Sequence, residues 1–297
     1  MAAGNNTQFA EFLEAETKKS RGSLVPVKAS VVERMLIKKA ACGKLHPNPE
    51  DEFCDPSIGP NYEIISGYVD MIVREHTLQP HSWDEPLMVE KVHPSGYMIL
   101  NGHHRWAAAI RAGMKRVPVA IVNLTQETDI EKMLEASKHD KRVTLDLDEV
   151  VFCSEREELA EKPLPFPFSR MYKERIRQGI PALLHFLSKR GYDIWVYTAQ
   201  YYSYDYIRAY FKRYSVKVDG IITGTARKTK ADPEEIKRAE SLFAARYAET
   251  IHIDNDMLLR TRRDTKEFEE YGLDCDPADW SHTVISVIEG LKDHGAQ

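Results

Sequence analysis

From Lys141 onward, short apolar runs alternate with segments of helical periodicity, and this alternation constrains the fold more than any other feature of the chain. KRVTLDLDEVVF, YDIWVYTA, DGIITG and ETIHID read as strands. PALLHFLSKRG, YDYIRAYFKRY, DPEEIKRAESLFAARY and SHTVISVIEGLKD read as the intervening and closing helices. Strands separated by helices predict a parallel, doubly wound α/β sheet, because parallel neighbours need a crossover. In such sheets ligands sit at the carboxyl ends of the strands, so chemistry is sought there.

The first part of the chain has another rhythm. Residues 1–24 are polar, with a short amphipathic stretch (Phe9, Phe12, Leu13); a loosely docked helix is one reading of it, and a frayed polar tail is the preferred one. Over 25–125 we expect an α+β unit. SVVERMLIKKAACG is read as a helix ended by Gly43, and HPNPEDEFCDPSIGPN as a loop. YEIISGYVDMIVREH is a helix, PLMVEKV and GYMIL two strands about the turn HPSG, HHRWAAAIRAG a helix, and KRVPVAIVNL a strand. Residues 126–140 read as a connecting helix, and 141–297 as the second domain.

Composition sets the outer bounds. The chain has 297 residues, the length of two ordinary domains, with 42% hydrophobic and 29% charged residues. A net charge of −5 creates no overall positive field, so nucleic acid is not an expected partner. The four cysteines form no CxxC pair and read as free thiols of a reducing compartment. No apolar signal-type core opens the sequence and no apolar run of about 18 residues occurs, so a cytoplasmic protein without membrane contact is expected.

Three strands of the second domain end in polar residues. The first runs into Asp146-Leu147-Asp148, the second into Thr198, and the last into Asp254-Asn255-Asp256, with Lys228 and Lys230 between the second and the last. Each alone could be a surface turn. Together they would stand along one sheet edge and supply what phosphoryl transfer requires: a nucleophile in line, charge neutralisation and positioning. Gathered carboxylates repel one another, and Mg²⁺, which takes one or two carboxylates plus waters and phosphate oxygens, removes that penalty. One carboxylate can attack phosphorus while another moves the proton.

This set resembles the haloacid dehalogenase superfamily in all four of its motifs. The resemblance implies Asp146 as nucleophile and Asp148 as general acid/base, with the Asp148 backbone carbonyl also on Mg²⁺. It implies that Thr198 holds the phosphoryl group and that Lys228 or Lys230 is the phosphate-binding lysine, a choice spacing does not make. Asp254 would ligate the metal, helped by Asn255 or Asp256. The stretch 149–185 is too short for a large cap, so a nearly capless Rossmannoid is implied. In the family that means an open site for a bulky or macromolecular phosphoester, or one covered by another domain.

In the first domain, LNGHHRWAAAIRAG places Gly102, His103, His104 and Arg105 where a strand gives way to a helix, a setting in which free N–H groups and the helix dipole favour an anion. The alternative is that the histidines cap the helix and Arg105 forms a surface ion pair. With its flanks (HPNPEDEF, PLMVEKV, VPVAIV) the region resembles the ParB/sulfiredoxin superfamily over about residues 24–124. Sulfiredoxins carry Cys where this chain has His103, so thiolate chemistry is not implied. Partition proteins continue into a DNA-binding helix-turn-helix, whereas here a hydrolase-like domain follows. Free-serine kinases of the superfamily show the same GHHR. That likeness implies that Glu50 or Glu52 deprotonates a hydroxyl while Gly102, His103, His104 and Arg105 hold the phosphates of ATP, ADP or CTP; Asn101 replaces the Asp usual in those kinases.

The sequence therefore leads to a Mg²⁺-dependent phosphatase, acting on a small phosphoester or a phosphorylated macromolecule, joined to a nucleotide- or phosphate-binding domain. The alternatives are a bifunctional kinase–phosphatase acting on a hydroxylated metabolite such as serine, and a nucleotide-gated regulatory or DNA-associated protein.

Overall fold

The computed structural model describes residues 2–78, 85–153, 157–225, 233–263 and 268–291. By its internal contacts the chain divides after Leu124 into two units, each built on its own sheet. The helix read as a connector therefore falls in the second unit.

The first unit runs α1 (Ala2–Ser20), β1 (Val25–Pro26), α2 (Val31–Leu36), β2 (Lys39–Ala41), β3 (Leu45–His46), α3 (Tyr62–Leu78), β4 (Leu87–His93), β5 (Tyr97–Asn101), α4 (His103–Arg111) and β6 (Arg116–Val122). Its mixed sheet has the order β2-β6-β4-β5-β3, with β1 pairing β4. Two expectations are overturned here. The presumed polar tail is a helix, because Phe9 and Leu13, four residues apart, share one buried face. Phe9 lies 6.4 Å from the ring of Trp106, the largest buried side chain of α4. The helix expected to reach Gly43 stops at Leu36. It starts on a capping box, with Ser30 Oγ accepting from the Glu33 N–H and Glu33 accepting from the Ser30 N–H. Lys39–Ala41 then leave it to pair antiparallel with Arg116–Pro118.

The second unit runs α5 (Glu127–Glu135), β7 (Lys141–Asp146), α6 (Phe168–Met171), α7 (Ile180–Lys189), β8 (Tyr192–Thr198), α8 (Tyr204–Arg213), β9 (Gly220–Thr223), α9 (Pro233–Arg246), β10 (Glu249–Ile253), β11 (Met257–Arg262), β12 (Phe268–Gly272) and α10 (Trp280–Gly290). The sheet order is β12-β11-β10-β7-β8-β9. The four expected strands, β10, β7, β8 and β9, are mutually parallel. The sequence reading missed β11 and β12, which extend the sheet antiparallel at one edge.

Side chains alternate across this sheet, so each parallel strand feeds two cores. Val143, Leu145, Ile194, Val196 and Ile251 face α7, α8 and α10. The opposite face carries Trp195, which packs with Met133 and Leu134 of α5 and with Tyr247 after α9. Gly220 is required there: a Cβ would lie 2.0 Å from the Trp195 ring. At the β10–β11 step, Arg260 is buried and donates to Glu249 Oε2 at 3.0 and 2.5 Å, while the Tyr192 hydroxyl donates to Glu249 Oε1.

Between β7 and α7 the described chain holds a 3₁₀ turn, the four-residue α6 and two isolated bridges, Phe152↔Ile176 and Ala160↔Arg177. That is the small excursion expected of a nearly capless domain. Among the described residues no helix is long and apolar enough to cross a membrane.

Candidate functional site

β7 ends at Asp146 and β10 at Ile253, and Leu145 stands directly opposite Ile253. Asp146 and Asp254 therefore leave neighbouring parallel strands side by side. Past its strand the chain turns through one short π-helical turn, Leu147–Val151, and Asp146 caps it. The Asp146 Oδ1 accepts from the N–H groups of Asp148 (2.6 Å) and Glu149 (2.9 Å). One oxygen is thus fixed by the backbone and the carboxylate is held in a single orientation, as a nucleophile must be.

Asp148 turns the other way. Its Oδ2 accepts from Thr198 Oγ1 at 2.6 Å and from the Ala199 N–H at 3.2 Å, so the ends of β7 and β8 are tied through this carboxyl. Burial pushes its pKa up; the Thr198 hydrogen bond opposes that, and the charge of Asp146 adds to it. Thr198 itself is fully buried, and its hydroxyl accepts from the Gln200 N–H at 3.0 Å while donating to Asp148. Sequence reasoning assigned this hydroxyl to a phosphoryl group; in the structure it donates to the second aspartate.

The charges of Asp146, Asp254 and Glu149 converge on Tyr197, which stands opposite Asp146 on β8. Burial first, and then these three carboxylates, push the Tyr197 hydroxyl up to about 12. The Tyr197 ring stacks on His252, whose Nδ1 lies 2.9 Å from Thr144 Oγ1. Neither ring was singled out in the sequence, where a Tyr or His inside a strand reads as ordinary packing.

Asn255, expected to assist a metal, is held by hydrogen bonds on both sides of its amide. Its Oδ1 accepts from Arg177 Nη1 at 2.8 Å and its Nδ2 donates to the Glu149 carbonyl at 3.0 Å. The Arg177 guanidinium lies 4.2 Å over the Trp280 ring, and the Trp280 indole N–H donates to the Asn255 carbonyl. Asn255 thus clamps the two aspartate loops. A cleft of about 550 Å³ opens beside it, lined among others by Asp148, Phe152, Arg177 and Trp280. Among the described residues no three Asp, Glu, His or Cys side chains close into a ligand cluster. The donor set still suits Mg²⁺, a hard cation that is satisfied by two carboxylates, a carbonyl and water, and whose charge would relieve the repulsion at Asp146 and Asp254. Lys228 and Lys230 lie outside the described residues.

In the first unit, α4 opens on Gly102 in the left-handed region (φ +99°), where a Cβ would lie 2.4 Å from Leu87 Cδ2. His103 and His104 serve the loop before α3. His103 Nε2 accepts from the Asn48 N–H at 3.2 Å and His104 Nε2 from the Asn61 N–H at 3.0 Å. Phe53 stacks on His103 and meets His104 edge-on. Burial pushes His103 down to about 4 and lowers His104 as well, so both rings act as neutral acceptors. Arg105 is buried, donates to the Glu85 carbonyl and to Asn101 Oδ1, and lies 3.6 Å from the exposed Glu85 carboxylate. The histidine and arginine side chains thus brace the helix entrance, and the first N–H groups of α4 have no partner within the helix. Glu50 and Glu52 are exposed on the braced loop.

Residues 141–272 match the family model of NLI interacting factor-like phosphatases. Residues 72–138 match that of the ParB N-terminal domain. The chain thus carries a phosphatase domain of the haloacid dehalogenase type behind a ParB-like domain, the pairing that the motifs imply. No curated protein matches the chain at a significant level. Among solved structures, the C-terminally truncated partition protein ParB of Caulobacter crescentus in complex with CTP-γ-S is 26% identical over 33% of this chain and 51% of its own, with a TM-score of 0.24. A free serine kinase in complex with AMP is 17% identical over 52% of this chain and 64% of its own, TM-score 0.23. A conserved hypothetical protein from Pyrococcus furiosus is 14% identical over 84% and 98%, TM-score 0.25. The chain spans about half the length of the ParB structure. The two domain assignments rest on the family models.

Proposed function

We propose that the phosphatase domain is a Mg²⁺-dependent phosphomonoesterase working through an aspartyl-phosphate on Asp146. The observation that carries this reading is the division of labour between two carboxyls two residues apart. Asp146 is oriented by backbone N–H groups at the strand end, whereas Asp148 is half-buried, raised in pKa and bonded to Thr198. Asp146 attacks phosphorus as the P–O bond to the leaving group breaks, and the protonated Asp148 gives its proton to the departing oxygen. The Asp148 carboxylate then takes a proton from water, which attacks the aspartyl-phosphate and frees Asp146. Asp146, Asp254 and the Asp148 carbonyl would hold Mg²⁺, which supplies charge neutralisation. By the family resemblance Lys228 or Lys230 would be the phosphate-binding lysine, and Thr198 acts through Asp148. The small excursion after β7 leaves room for a bulky phosphoester, and four free cysteines suit a reducing, cytoplasmic setting.

The test is hydrolysis of p-nitrophenyl phosphate with and without Mg²⁺. Metal-dependent release that disappears in Asp146→Asn is expected; undiminished release by that variant would overturn the mechanism.

For the ParB-like domain we infer nucleotide binding at the start of α4, where Gly102 lets the backbone turn and the first N–H groups have no partner within the helix. Glu50 and Glu52 stand on the loop that His103 and His104 pin to that helix, and this favours a second, kinase reading. Equilibrium dialysis with ATP, ADP and CTP tests the first. Transfer of phosphate to serine, lost in Glu50→Gln or Glu52→Gln, would establish the second.

A further inference from the structure

A second concavity of the phosphatase unit lies away from the aspartates. It is a groove of about 930 Å³ bounded by one face of α5, one face of α8 and the turn that leads from α8 into β9. Because β9 runs parallel to β7 and β8, this turn is at the amino end of the sheet, opposite the end that carries Asp146 and Asp148. On α8 the face comprises Tyr204, Arg208 and Lys212, each four residues from the next. On α5 it includes Lys132 and Met133, and the floor is completed by Val216 and Val218 of the turn.

The charges here are unbalanced. Lys132, Arg208 and Lys212 are exposed, and among the described residues none of them takes part in an ion pair. The two acids of the groove already have work: Asp129 accepts from the Gln126 N–H in the cap of α5, and Asp219 takes Lys217 and the Ile194 N–H. In a chain with 46 acidic against 41 basic residues, three cations outside any ion pair around one aliphatic floor, beside two acids that are already engaged, set the groove apart from a mixed solvated surface.

We propose that this groove docks an acidic peptide segment carrying aliphatic side chains, supplied by a partner protein. The cations would meet its carboxylates, and Met133, Val216 and Val218 would take an aliphatic anchor. A nucleic acid fits less well. The one aromatic ring, Tyr204, has the Arg208 guanidinium over it at 5.5 Å and offers no open face for a base. Four cations interrupted by two acids also make no continuous track for a phosphate backbone. The proposal does not depend on the hydrolase mechanism, since no residue of the groove belongs to the aspartate site.

The experiment is fluorescence anisotropy on the full chain with a fluorescein-labelled peptide of about twelve residues, glutamates interrupted by leucines. Saturable binding is expected, weakened roughly tenfold or more in the triple variant Lys132→Glu/Arg208→Glu/Lys212→Glu and weakened again between low and high salt. On the unaltered chain, replacing the leucines by serines should also weaken binding several-fold, a readout that no folding defect can mimic. Thermal unfolding checks that the triple variant is folded. Absence of saturable binding, equal binding by the triple variant, or tighter binding of an oligothymidylate of matched charge would each overturn the proposal.

Discussion

Thr198 Oγ1 donates to Asp148 Oδ2 at 2.6 Å, and this bond joins the ends of two adjacent parallel strands at the place where the chemistry is proposed. It is also the main influence holding the half-buried Asp148 carboxyl below the pKa that burial would give it. Removing it has a defined sign. In Thr198→Val the Asp148 pKa rises further, so the alkaline limb of the kcat/KM profile, where the acid is lost, moves to higher pH. Turnover falls by about 10²-fold, within the usual range for a misaligned acid–base group. Thr198→Ser should restore both. A Val variant with lower activity and an unmoved profile would show that the hydroxyl acts directly on substrate.

Asp148 also makes a stability prediction. A carboxyl whose folded pKa lies above its unfolded value stabilises fully only below the unfolded pKa, and that contribution is lost as pH rises through the folded pKa. At neutral pH the Asp148 carboxylate therefore disfavours the fold. Asp148→Asn keeps an acceptor for Thr198 without the charge, so it should raise Tm by a few degrees at pH 7 and by less at pH 4, while abolishing phosphate release. Equal Tm gains at both pH values would contradict this.

The buried Glu249–Arg260 pair is expected to be unforgiving when halved. Arg260→Ala strands a carboxylate beside β10 and should cost about 3–5 kcal/mol in urea unfolding, the usual consequence of orphaning a buried charge. The double replacement Glu249→Leu/Arg260→Met should recover much of the loss.

Gly102 offers a test confined to the ParB-like unit. With φ at +99° and Leu87 where a Cβ would go, Gly102→Ala should destabilise that unit by about 1–3 kcal/mol and weaken nucleotide binding. Its p-nitrophenyl phosphate turnover should match the parent chain. A variant with full nucleotide affinity would move the site away from α4.

Much of the phosphatase unit could be read from the sequence because its signals are local. β7, β8, β9 and β10 are apolar runs of the right length, and the aspartates follow them directly. What escaped depends on distant partners. In MLLRTR, Arg260 looks like a loop or surface residue until Glu249, eleven positions earlier, is placed beside it. Arg177 lies in a stretch without periodicity and gains its place only through Asn255 and Trp280. The helix α1 is secured by two side chains on Trp106, too sparse a pattern to distinguish from a tail. His103, His104 and Arg105 were located correctly beside a helix start. Their side chains proved to brace it, since which way an imidazole points depends on loops some forty to fifty-five residues away.

The Arg177–Trp280 stack has a practical consequence. Indole emission responds to a cation 4.2 Å above the ring, and this indole belongs to the wall of the cleft beside Asp148. Trp106 and Trp195, the other indoles among the described residues, are buried in their own units and do not line that cleft, and Trp83 lies outside the described residues. Occupancy of the cleft is thus written into the intrinsic emission spectrum, and a titration can be followed without attaching any dye.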